Sequence, residues 1–236
     1  MYVGGSVISS VEFHGNMSLV IFMSGCPLTC RYCHNVELLE DSTEKSFEEI
    51  KHEIDSSKDF LDAVVISGGE PLMQIDALIE IFTYVREIGL KTKLDTSGIY
   101  PDKLKQLLDL NLLDFVSLDV KTTFSKYRKI TGSNVGFQVK KSMELINEYD
   151  GVYLEARTTY VPTLHTKKDI INLVDDIEAD IYTIQQFRNR NVLDPALEKV
   201  EVPNPHDLAD LAREIKPYFK GQVKVKSGEF GEQVIE

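Results

Sequence analysis

The chain has 236 residues, 42% hydrophobic and 27% charged, with 38 acidic side chains against 26 Lys and Arg. Those proportions exclude the disordered, collagen-like and membrane-embedded classes and suit a chain long enough to bury its own core. The net charge of −12 counts against nucleic acid as the main partner, because that binding rests on clustered cations that displace counterions from phosphates.

Strand-length apolar runs alternate with helix-period segments along the chain. Leu19 to Phe22 predicts the first strand, and the run to Met23 is far short of the ~20 residues of a membrane span. Met1 to Ser10 lacks the basic and apolar stretches of a secretory signal, so a cytoplasmic protein without membrane attachment is expected. Ser46 to Ile54 sets Phe47, Ile50 and Ile54 on one helical face. Ala63 to Ile66 is the second strand, and a helix from Ile75 to Ile88 stops at Gly89, a natural C-terminal cap. Thr92 to Leu94 makes a weaker third strand. The helix at Pro101 to Leu108 follows, with proline allowed in its first turn.

Phe115 to Leu118 is the fourth strand and Phe137 to Tyr149 a helix. Val152 to Val161 is the fifth strand, ended by Pro162, and Lys168 to Ile177 is again helical. Ile181 to Ile184 is the sixth strand, Pro205 to Tyr218 the last helix, and Val223 to Val225 a final short strand. Repeated βα units imply an α/β fold with a parallel sheet and right-handed crossovers. No linker, composition break or short repeat divides residues 1–236, so one domain is expected. Gly68 to Pro71 follow strand two, Asp95 to Gly98 strand three, Asp119 and Lys121 strand four, and Gln185 to Arg188 end strand six. Sites in parallel α/β folds gather at the carboxyl ends of strands, so these residues are expected on one rim.

All three cysteines, Cys26, Cys30 and Cys33, fall in one short loop, too few for a disulfide framework and suited to a reducing compartment. Spacings of three and two residues let one loop aim three thiolates at a shared centre, and soft thiolates select zinc, copper(I) or iron–sulfur. A [4Fe-4S] cluster normally takes four cysteines, so three would leave one iron open. Zinc held by the cysteines and His34, a haem attached at Cys30-Arg31-Tyr32-Cys33-His34, and a redox dithiol are the competing readings.

The loop Gly25-Cys26-Pro27-Leu28-Thr29-Cys30-Arg31-Tyr32-Cys33-His34-Asn35 resembles the radical S-adenosylmethionine superfamily. The signature is three cysteines at these spacings with an aromatic before the last. Within it, the loop looks most like the activating enzymes of pyruvate formate-lyase and anaerobic ribonucleotide reductase. The resemblance implies a partial (β/α)6 TIM-like barrel with one [4Fe-4S] cluster on Cys26, Cys30 and Cys33. It implies that Gly68, Gly69 and Glu70 meet the amino group of S-adenosyl-L-methionine. Lys121 would meet its carboxylate, and Asp95 and Asp119 would organise the ligand and a monovalent cation. Tyr32 and His34 would flank the adenosyl part, and Cys33 would be a further cofactor contact.

The activity so implied is reductive cleavage of S-adenosylmethionine to a 5′-deoxyadenosyl radical that takes hydrogen from a glycine of a partner enzyme. That partner would be a glycyl-radical enzyme, such as anaerobic ribonucleoside-triphosphate reductase or a pyruvate formate-lyase-like enzyme. The electron would come from a low-potential donor such as flavodoxin or ferredoxin. Two alternatives stand beside it: a small-molecule enzyme similar to 7-carboxy-7-deazaguanine synthase, and a non-catalytic zinc module. Certain relatives place a histidine after strand six; here Gln186 is the candidate substitute. Arg157, a charge inside strand five, needs a partner, either an ion pair or the ligand. His165 is expected to face solvent without a role.

Overall fold

The computed structural model describes residues 1–40 and 42–236. The chain opens with β1 (Tyr2–Ser9) and β2 (Ser18–Met23), then α1 (Glu37–Glu40), β3 (Thr43–Glu44) and α2 (Phe47–Asp55). Strands and helices alternate next: β4 (Ala63–Gly68), α3 (Ile75–Glu87), β5 (Lys91–Thr96), α4 (Pro101–Asp109) and β6 (Phe115–Asp119). After α5 (Tyr127–Thr131) and α6 (Gly136–Ile146) come β7 (Tyr153–Tyr160), α7 (Lys167–Val174) and β8 (Ile181–Gln186). The last elements are α8 (Pro205–Ile215), β9 (Gln222–Ser227) and β10 (Gly231–Ile235).

Local chemistry explains the helix boundaries. Ser46 and Glu49 form a reciprocal capping box at α2, and Thr166 and Asp169 repeat it at α7, satisfying amides that lack partners in a first turn. Pro101 and Pro205 open α4 and α8, where a missing N–H costs nothing.

All the strands belong to one sheet, ordered β10-β9-β8-β7-β6-β5-β4-β2-β1-β3. From β2 to β9 every neighbouring pair is parallel. The six expected strands are β2 and β4 to β8, and β9 extends them as a seventh. Phe22 on β2 and Ser227 at the end of β9 line one cavity, which requires the sheet to curl. It is a partial (β/α)6 barrel with antiparallel additions at both edges. The additions β1, β3 and β10 escape the sequence pattern because they are mostly exposed: β1 buries only Val3 among its eight residues.

The two faces of the curled sheet differ in chemistry. Ile66, Leu94, Val116, Leu118, Leu154, Ala156, Ile184 and Val225 face outward into a core shared with Leu78, Phe82, Leu104, Val139 and Leu208 of the helices. The intervening positions face inward: Ser67 on β4, Lys93 and Asp95 on β5, Ser117 and Asp119 on β6, Glu155 and Arg157 on β7, Thr183 on β8. Register confirms it, since Asp95 lies opposite Ser117, Asp119 opposite Arg157, and Arg157 opposite Thr183. Side chains alternate faces along a strand, so the barrel carries an apolar exterior and a polar interior.

Candidate functional site

At the carboxyl ends of the parallel strands lies a cavity of about 400 Å³. Its wall includes Cys26, Cys30, Cys33, Tyr32, His34, Gly68, Gly69, Asp95, Asp119, Lys121, Arg157 and Gln186. The rim expected from chain order is therefore assembled, with Glu70 the one proposed contact residue that does not reach its surface.

The cysteine loop is clamped from both sides. Thr29 and Arg31 donate backbone hydrogen bonds to Thr131 O (3.1 Å) and Ile130 O (3.0 Å) at the end of α5. Leu193 and Asp194 donate to Cys33 O and Arg31 O, each at 2.9 Å. Arg31 Nε bonds Asp194 Oδ2 at 2.8 Å. Tyr32 is buried with Ile130, Val161, Leu164 and Phe187, while His34 is exposed at the rim.

Close approach of neighbouring backbone accounts for both glycines of the turn. Gly68 has φ +122°, and a Cβ there would stand 2.3 Å from Met23 O. A Cβ on Gly69 would stand 2.1 Å from Gly25 O. Both glycines let the end of β4 lie against the end of β2 and the start of the cysteine loop. Gly69 N–H donates to Met23 O at 2.9 Å and Glu70 N–H to Gly25 O at 2.8 Å.

Glu70 is fully buried. Oε1 accepts from Leu72 N (3.1 Å) and Thr96 Oγ1 (2.8 Å); Oε2 accepts from Ser97 N (2.9 Å) and from the Ser97 hydroxyl. Four donors saturate the carboxylate, so it ties the glycine turn to the Asp95–Gly98 turn instead of presenting itself to a ligand ammonium. The resemblance set Glu70 at the ligand's amino group; in the structure its carboxylate is held by Leu72, Thr96 and Ser97.

Asp95, Asp119, Arg157 and Lys121 form one ion network. Arg157 Nη1 lies 3.2 Å from Asp95 Oδ2, and Nη2 lies 2.9 Å from Asp119 Oδ1. The guanidinium thus bridges the two carboxylates that the resemblance expected to organise the ligand and a monovalent cation. Lys121 Nζ meets Asp119 Oδ2 at 3.2 Å. Burial opposes ionisation of both acids, yet Arg157 and Lys93 outweigh it at Asp95, and Lys121 and Arg157 at Asp119, holding both carboxyls below their usual range. Lys93, which sequence reading passed over, donates to Asp95 Oδ1 at 2.6 Å. Its only sequence signal is the polar alternation Lys91-Lys93-Asp95 in a strand.

His165 requires a correction. Only 2% exposed, it accepts from Val161 N–H through Nδ1 at 3.1 Å, so Nε2 carries the proton and donates to Lys121 O at 2.9 Å. It braces the backbone of Lys121. Burial lowers its pKa below the ordinary 6.5, so an unfolded chain takes up a proton that the folded one refuses. The stability it contributes is complete above 6.5 and fades as pH falls toward its folded value. Thermal melts of His165→Gln between pH 7 and 5 are expected to show a shallower acid loss than the parent; identical slopes would refute this. Gln186 lines the cavity, but its amide spans Pro203 O and Gly228 N, each at 2.8 Å.

Chemically, the cavity offers three free thiols, a cation at Lys121 and a wall closed by two glycines. Among the described residues no group of three or more His, Cys, Asp and Glu side chains is gathered to hold a metal ion, and the three cysteines all line the cavity. Burial pushes the Cys26 thiol up to about 11 and raises that of Cys30, so thiolates here need a bound cationic centre. Soft donors beside a hard cation fit an iron–sulfur group and an anionic ligand side by side. No helix among the described residues is long and apolar enough to cross a membrane.

The radical SAM superfamily profile matches residues 20–177. A Methanocaldococcus jannaschii protein provisionally named a glycyl-radical enzyme activating enzyme is 35% identical over 223 residues, 92% of each chain. The pyruvate formate-lyase-activating enzyme of Staphylococcus aureus is 30% identical over 234 residues, 88% of this chain and 91% of that one. Among solved structures, Streptococcus suis SuiB bound to S-adenosylmethionine superposes with TM-score 0.67 at 19% identity, over 86% of this chain. This chain spans only 48% of SuiB. TYW1 with a lysine–pyruvate adduct bound gives TM-score 0.66 at 12% identity, over 94% of this chain and 81% of that one. These two show the fold alone. With the cysteine loop and glycine turn inside the matched residues 20–177, the chain belongs to the radical SAM superfamily, enzymes that use S-adenosylmethionine and an iron–sulfur cluster.

Proposed function

We propose that this chain is a glycyl-radical-enzyme activating enzyme carrying one [4Fe-4S] cluster on Cys26, Cys30 and Cys33. The observation that carries the reading is the relative of that name, 35% identical across 92% of both chains. Bound at the three thiols, the cluster would supply the electron that splits S-adenosylmethionine into methionine and a 5′-deoxyadenosyl radical, which takes hydrogen from a glycine of the partner.

The chain's own residues supply binding and orientation. Lys121 stays protonated, since Asp119 outweighs the burial that would neutralise it, and offers its ammonium to the ligand carboxylate. Asp119 and His165 hold that lysine from its side chain and its carbonyl. Gly68 and Gly69 place backbone beside the amino group, with Glu70 fixing the turn from behind. Asp95 anchors the interior beneath, and Tyr32 and His34 border the adenosyl side with Cys33 as a further contact, Tyr32 with its apolar cluster keeping water from that flank. The partner is a glycyl-radical enzyme of the reductase or pyruvate formate-lyase type, and flavodoxin or ferredoxin is the donor.

Electron paramagnetic resonance tests this. Reduced, reconstituted protein mixed with S-adenosylmethionine and a candidate glycyl-radical enzyme is expected to raise a glycyl signal on that partner. Steady formation of 5′-deoxyadenosine with a small molecule consumed and no protein radical would assign the chain to the small-molecule class instead.

A further inference from the structure

Five charged side chains of alternating sign climb the barrel interior to the site. Lys93 Nζ donates to Glu12 O (2.7 Å) and Asp95 Oδ1 (2.6 Å). Asp95 Oδ2 meets Arg157 Nη1 at 3.2 Å, and Arg157 grips Asp119 Oδ1 through Nε (3.0 Å) and Nη2 (2.9 Å). Asp119 Oδ2 meets Lys121 Nζ at 3.2 Å. In this chain three cations serve two carboxylates, while the neighbouring inward carboxylate, Glu155, is held by the Ser117 and Thr183 hydroxyls.

The surplus has a use. When Lys121 turns to the carboxylate of a bound ligand, Asp119 still has Arg157. A guanidinium is always charged, and its fork matches carboxylate geometry. Lys93 is only 2% exposed and Arg157 10%, so neither swings away to make room. An alkali ion between Asp95 and Asp119 would have to displace the guanidinium and sit among three like charges.

We propose that Arg157 is the built-in counter-cation of Asp95 and Asp119, so that S-adenosylmethionine binds here without a monovalent metal ion. The inference rests on the functional reading above, for the ligand it names is the one that reading assigns. Arg157 acts as a positioning residue, through the two carboxylates.

The test is calorimetric affinity of the anaerobically reconstituted protein for S-adenosylmethionine in sodium, potassium and choline chloride at equal ionic strength. The three dissociation constants are expected to agree within about twofold, because salt screening is matched. Arg157→Gln exposes one oxygen of each aspartate beside an amide oxygen, hard ligands of the kind that hold cations. In choline this variant is expected to bind at least roughly tenfold more weakly, as befits a lost charged hydrogen-bond set, with partial recovery in sodium or potassium. A merely structural role would show no such cation response. Parent affinity that rises tenfold with sodium or potassium overturns the inference alone, as does an Arg157→Gln variant indifferent to cation. Should Arg157→Gln fail to fold, the parent comparison still decides. Absence of binding in all three salts overturns the functional reading together with this inference.

Discussion

Cys30→Ala is expected to strip the protein of iron and end cleavage of S-adenosylmethionine while leaving the fold in place. The side chain is 7% exposed, packs with the main core and lines the cavity. Removing one sulfur from such a position costs on the order of 1 kcal/mol of packing, which a barrel of this size tolerates. The loss of a ligand is far larger in effect. Even partners one layer behind a metal ligand change affinity by roughly 10–100-fold, so loss of a ligand itself is expected to lower turnover by about a hundredfold or more. Iron and sulfide analysis beside a melting curve separates the two effects. Turnover at the parental rate would contradict the assignment of the three thiols.

Gly69→Ala is expected to destabilise the molecule and disable the site together. The added methyl would stand 2.1 Å from Gly25 O and 2.8 Å from Gly25 C, both backbone atoms. That carbonyl also accepts the Glu70 N–H at 2.8 Å. Relief requires moving either the end of β4 or the first residues of the cysteine loop, since no flexible side chain absorbs the strain. Overpacking of this kind costs about 3 kcal/mol, which corresponds to a fall of roughly 6–12 °C in Tm for a chain of this length. The displaced loop carries Cys26, so cluster incorporation should fall as well. A Tm within two degrees of the parent and full iron loading would show that the turn is looser than its geometry implies.

The six strands of the barrel and the helices between them were legible because their outward positions are apolar at the right periods. Val64 and Ile66, Val116 and Leu118, and Tyr182 and Ile184 all face helices. The antiparallel strand β1 was not legible, for it buries little and carries two adjacent glycines. Strand β5 read as weak because Lys93 and Asp95 interrupt its apolar pattern. That interruption is the signature of an inward face lined with charge.

By itself the sequence determined which chemistry gathers here. Three thiols in one loop, two glycines and an acid after one strand, and an aspartate and a lysine after another are local patterns, and local spacing dictates local proximity. Only the tertiary structure decided what the ionisable groups do. Glu70 is saturated by donors on the neighbouring turn, Arg157 joins two strands through two aspartates, and His165 braces a lysine. The penalty for burying a lone charge guarantees that each has a partner. Which partner depends on strand register and curl, contacts between residues far apart in the chain that no short pattern encodes.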